Sequence, residues 1–195
     1  MTLTTFRVVF FGTLLLVSLP VAASADSIDI TYAAVQADET KTVISANAII
    51  ELNSTIERGL KSGVPLEFVV DVKIIQPSRW WFDKTLVSAQ RRYSLTYYEL
   101  TRHYRVSVID EDITVNFRSL LTALEYMGDI AGIQIDDNSN TSDHPPAEHW
   151  RSMADAQGAI RVFLDTASLP LPLRPQLLVS DSWRLHSEEY RWAIN

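Results

Sequence analysis

The sequence predicts a mainly β fold: an antiparallel two-sheet sandwich, immunoglobulin-like, with two short helices. Three observations lead there. Apolar residues recur at every second position in about eight separate segments. Only two segments carry apolar residues at helical spacing. Composition does not change along the chain after its first residues, so one β-rich domain over 26–195 is the economical reading. An open sheet with both helices on one face is the competing closure.

The first 25 residues read as a secretory signal peptide. Arg7 is followed by an apolar stretch from Val8 to Leu19, then Pro20, then small residues with Ala23 and Ala25 at the −3 and −1 positions that signal peptidase requires. The apolar run is twelve residues, short of the roughly 20 that a membrane helix needs. No later run reaches that length, so no membrane span is expected after the cut.

Alternation then marks the strands in order. Ile28, Ile30 and Tyr32 share one face of Ser27–Val35, and a second strand runs from Thr42 to Leu52. Ser54-Thr55-Ile56-Glu57 fits a capping box opening a helix, with Ile56 and Leu60 inward and Gly63 and Pro65 ending it. Leu66–Ile75 puts Leu66, Phe68, Val70, Val72 and Ile74 on one side. Tyr93, Leu95 and Tyr97 alternate within Arg91–Tyr98. Residues 104–117 read as a hairpin turning at Asp110-Glu111-Asp112.

Ser119 caps a second helix whose stripe is Leu120, Leu124 and Met127, with Gly128 as its stop. Asp136–Pro146 is a polar loop, and Leu169–Pro175 an extended proline-rich stretch. Ile160–Leu164 and Trp183–Trp192 supply the last strands.

The full chain carries a net charge of −7, one unit more negative once Arg7 is removed. Such a domain is poorly suited to nucleic acid, where affinity grows from neutralised phosphates. The absence of cysteine excludes a disulfide framework, thiolate metal ligation and a lipid-bearing cysteine after the signal.

Two segments stand out as candidate binding elements. Trp80, Trp81 and Phe82 sit between Arg79 and Lys84 in the loop after the Leu66 strand. Three adjacent aromatics in extended chain cannot all face the core, and aromatics beside cations serve hot spots and membrane-interface anchors. The plainer reading is that one tryptophan plugs the core and another covers a sheet edge. Second, residues 73–118 hold eight basic against five acidic residues, inside an otherwise acidic chain. Arg91, Arg92, Arg102 and Arg105 would then form an arginine and tyrosine face for anionic headgroups, glycans or an acidic partner. Alternatively, these arginines pair with carboxylates of the same molecule.

Other motifs lack the chemistry they suggest. His144 and His149 have one residue too many for a zincin pair, and Pro145-Pro146 blocks the helix it needs. Asp136, Asn138 and Asn140 begin like a calcium loop, but Thr141 and Ala147 replace its glycine and its bidentate glutamate. No metal or cofactor is expected. No nucleophile elbow or phosphate-cradling loop occurs, so the chain reads as non-catalytic, with a hydrolase assembled from distant residues as an alternative.

The segments Pro77–Lys84, Arg92–Leu95, Leu100–Val106, Leu171–Pro175 and Trp183–Leu185, together with the signal peptide, resemble a bacterial family. It is known as domain of unknown function 4390, or proline-rich signal peptide protein. The resemblance spans nearly all of 26–195 and implies a periplasmic envelope protein with no catalytic residues to carry over. Its implied partner is another envelope protein or the periplasmic sensor domain of a membrane kinase. A small-ligand, lipid or glycan binder using the Trp80/Trp81 loop is the alternative.

Overall fold

The computed structural model describes residues 27–37, 42–78, 82–135, 155–170 and 181–194. The expected signal peptide, the 136–146 loop, His144, His149 and the stretch 171–175 lie outside them. In chain order the elements are β1 (Ser27–Ala37), β2 (Thr42–Glu51), α1 (Ser54–Lys61), β3 (Leu66–Gln76), β4 (Lys84–Tyr98) and β5 (His103–Val108). Then follow β6 (Ile113–Phe117), α2 (Leu120–Gly128), β7 (Asp129–Ile135), β8 (Gln157–Leu164) and β9 (Tyr190–Ala193). A single 3-10 turn at Asp181–Trp183 precedes β9.

The strands form two antiparallel sheets, β1-β2-β7 and β6-β5-β4-β3-β8-β9. The order differs from that of an immunoglobulin constant domain, in which strands one, two, five and four share a sheet. Here β3 to β6 run as a meander, and β8 and β9 are added to the other edge of β3. Both sheets contribute to one apolar core, with Ile44 from β2 and Leu66, Phe68, Val72 and Ile74 from β3 completely buried. The larger sheet is wider than the smaller one, and the helices help fill the difference. Ile56 and Leu60 of α1 and Ala123, Leu124 and Met127 of α2 enter the same core.

The helix caps differ from expectation in an instructive way. The N-cap of α1 is Asn53, whose side-chain oxygen accepts from the Thr55 and Ile56 amides at 2.9 Å each. Its amide nitrogen donates to the Ser182 carbonyl at 2.8 Å, so the cap also ties α1 to the 3-10 turn. Glu57 is thereby left to pair with Lys61 at 2.6 Å on the next turn. The expected stop at Gly63 is there, at φ +87°. Gly128 is the last residue of α2 and does not stop it; its bare backbone lies against the Ala48 carbonyl of β2.

Three strand expectations change. The strand expected from Arg91 begins at Lys84, with Leu86 and Val87 buried. The expected strand from Trp183 is instead the 3-10 turn, an isolated bridge at His186 and the short β9. Strand β7 was hidden because a bulge breaks its alternation. Ile44 and Ala46 of β2 pair with Ile133 and Ile130, so Ala131 and Gly132 both lie opposite Ser45. Gly132 takes φ +71°, the left-handed geometry that such a bulge places on glycine. Buried Ile130 and Ile133 are consequently three residues apart, and period two is lost.

Candidate functional site

Strand parity sorts the candidate arginines. On β4, Tyr93 and Leu95 face the core, so Arg91 points inward with them while Arg92 points to the outer face. The Arg91 guanidinium donates to the carbonyls of Ala131 and Gly132 at 2.6 and 3.1 Å and pairs with Glu111 at 2.5 Å. One side chain thus joins β4, the β5–β6 turn and the bulge of β7. Arg91 is buried and belongs to no surface face. Burial pushes the nearby Tyr93 hydroxyl above its ordinary pKa, and Arg91 partly offsets that rise. Arg92 is exposed and pairs with Asp110 at 3.1 Å.

Arg105 is different. It projects from β5 onto the outer sheet face, where Thr96 and Asn116 flank it in register on β4 and β6. Its Nη1 donates to the Tyr98 hydroxyl at 2.8 Å and its Nε to Asn116 Oδ1 at 3.3 Å. The guanidinium carbon lies 4.3 Å from the centre of the Tyr98 ring. Tyr98, Thr101, His103, Arg105 and Asn116 line an open hollow of about 350 Å³. All of Arg105's partners are neutral, and among the described residues no carboxylate pairs with it. A guanidinium held flat by an aromatic ring and two hydrogen bonds retains donors for an incoming carboxylate or phosphate, and loses little freedom in binding one. Arg102 follows in the adjoining turn at φ +52°, beside a fully exposed Leu100.

The aromatic loop lies elsewhere. Trp80 and Trp81 are outside the described residues, as are Ala23 and Ala25. Phe82 is described and stands 95% exposed. Asp83 anchors it: its carboxylate accepts from the Ser78 amide at 3.1 Å and from Arg191 of β9 at 2.7 Å. The Ser78 amide first, and then Arg191, hold the Asp83 carboxyl below the usual carboxylate range. Phe82 precedes the start of β4 and Arg102 follows its end. That strand is 15 residues long, or about 45 Å at the rise of an extended chain. The structure therefore does not bring Phe82 together with Arg102 and Arg105.

What sequence reasoning missed were the other residues of the hollow: Tyr98, Thr101, His103 and Asn116. The signal was available in the 104–117 hairpin, because its register alone places Asn116 opposite Arg105. Among the described residues no group of histidines and carboxylates is arranged to hold a metal ion, and no helix is long and apolar enough to cross a membrane.

No curated protein and no solved structure matches the chain. One family model does, over residues 25–193, which takes in both sheets, both helices and the Arg105 hollow. The chain belongs to the family described as Domain of unknown function (DUF4390).

Proposed function

We propose that this protein is an exported, non-catalytic binding module of the periplasm that recognises an acidic partner through the Arg105 hollow. The observation that carries the reading is the state of Arg105: half-buried on the outer face of a sheet, held by Tyr98 and Asn116, and without a carboxylate among the described residues. Arg91, Arg92 and Arg191 each meet carboxylates of the same chain. The hollow's cation is left for something outside. Leu100 and Arg102 at the adjoining turn extend it with an apolar contact and a second charge. Partners of fitting chemistry are acidic surfaces of envelope proteins, the sensor domain of a membrane kinase among them. Export rests on the signal-like residues 1–25.

The test compares capture from envelope extracts by the wild-type chain and by Arg105→Glu. A partner that depends on the hollow is retained by wild type, is lost with Arg105→Glu, and binds more weakly as salt rises. Identical capture by both chains would sink the assignment. The compartment is tested separately by a reporter enzyme, fused after Asn195, that is active only outside the cytoplasm.

A further inference from the structure

We propose that the seam between β4 and β7 accepts an extended segment of a partner polypeptide as an added strand. β4 pairs with β5 only from Tyr93 onward, and β7 is the outermost strand of the smaller sheet. The two edges meet at a cleft of about 560 Å³, lined by Gln90, Arg91, Asp110, Glu111 and residues 131–134.

Backbone direction makes the β4 wall of this seam a ladder. The Arg92 amide donates to the Asp110 carboxylate at 3.1 Å and the Arg92 carbonyl accepts from the Ile109 amide at 2.9 Å. Arg92 therefore turns its main-chain groups toward β5. Alternation turns those of Gln90 and Ser88 the same way, where no described strand meets them. On the opposite wall the bulge aims the Ala131 and Gly132 carbonyls at Arg91.

The charges around the cleft are already spent on one another, Arg91 with Glu111 and Arg92 with Asp110. What remains is main chain and the amide side chain of Gln134, because Gln90 Nε2 already donates to Asp71 of β3 at 3.2 Å. The matching ligand is an extended peptide of low net charge, because only it supplies alternating donors and acceptors at strand spacing. This occupant differs in kind from the anionic one that suits Arg105, and the proposal does not depend on that site.

The probe is a linear peptide selected from a displayed random library on the purified chain, then synthesised. Three results are expected. Bound peptide slows hydrogen exchange at Gln90 and Ser88 by about tenfold or more. N-methylation of alternate peptide residues in one register weakens binding about tenfold or more, and in the other register leaves it unchanged. A bismaleimide bridge across Gln90→Cys and Gln134→Cys, clean in a chain without cysteine, removes binding while the chain stays folded. The proposal is overturned if no peptide is selected, if protection falls elsewhere, or if N-methylation matters in neither register. It is equally overturned if those amides are already protected in the free chain, or become so only as the chain is concentrated, the latter signalling a second copy.

Discussion

Arg91 and Gly132 meet across the open edge of the sandwich, with the guanidinium of one donating to the carbonyl of the other at 3.1 Å. The neighbouring Ala131 carbonyl accepts at 2.6 Å, so one buried cation satisfies two acceptors that a bulge has turned away from their own sheet. Arg91→Ala leaves both carbonyls and Glu111 without this partner. The expected cost is about 2–3 kcal/mol, in the range for hydrogen bonds to a charged group. Glu111→Gln, at the more exposed end, costs about 1 kcal/mol or less. Urea denaturation checks both, and equal midpoints for wild type and Arg91→Ala would show that the clasp contributes nothing.

Two glycines predict a ranking. A Cβ on Gly128 would stand 2.1 Å from the Ala48 carbonyl oxygen, and one on Gly59 would stand 2.4 Å from the tip of the Trp183 ring. A backbone carbonyl in β2 cannot give way, whereas an indole can tilt. Gly128→Ala should therefore cost about 3 kcal/mol or more and Gly59→Ala about 1–2 kcal/mol, spanning the usual range for overpacking. Thermal unfolding of the two variants checks the order.

A third position tests a contact between strands. Trp192 of β9 covers Gly158 of β8 so closely that a Cβ there would lie 2.2 Å from the indole. Gly158→Ala is expected to destabilise by about 1–3 kcal/mol. In the background of Trp192→Ala the same change should cost clearly less, and a double-mutant cycle measures the coupling. Additive effects would mean that the ring does not occupy that space.

The alkaline limit of stability has a definite sign. Burial raises the hydroxyl pKa of Tyr93 and of Tyr104 above the ordinary tyrosine value. Each group stays protonated in the fold at a pH where the unfolded chain has lost its proton. Their contribution is complete below about pH 10 and is lost as pH rises through the raised values. Tyr93→Phe should flatten the decline in unfolding free energy between pH 9 and 11, measured by urea titration at each pH. An unchanged slope would remove Tyr93 as a cause.

The Arg105 hollow makes a prediction for small ligands. An anionic sugar or carboxylate that binds the native state raises the melting temperature, with about 2.7 kcal/mol of stabilisation at a hundredfold excess over Kd. Tyr98→Ala removes the stacked ring and Tyr98→Phe only the hydroxyl, so the shift should fall most with alanine. A shift that survives Tyr98→Ala places the ligand elsewhere.

Much of the fold was legible because burial imposes simple periods. The β3 segment shows its core face at Leu66, Phe68, Val70, Val72 and Ile74, although Val69 and Ile75 are buried on the other face, and the 104–117 hairpin was readable from its acidic turn. Strand β7 was not legible, because a bulge is a change of register that depends on Ser45, almost ninety residues earlier. The candidate site was half legible. The arginines were visible as charge, but which of them meets a carboxylate is decided by parity on β4 and by the placement of Glu111 and Asp110. Adjacent residues Arg91 and Arg92 carry the same charge and end on opposite faces.

The placement of β3 at the middle of the larger sheet carries a consequence in time. Its first neighbour, β4, leaves the ribosome directly after it, but its second, β8, begins only at Gln157. At ordinary synthesis rates that interval is roughly 5–15 s. For that period a strand rich in valine and isoleucine has one edge unpaired, the condition under which chains join one another instead of folding. Nascent or translocating copies truncated before Gln157 should therefore be the ones that need a holding chaperone, and completed copies should not.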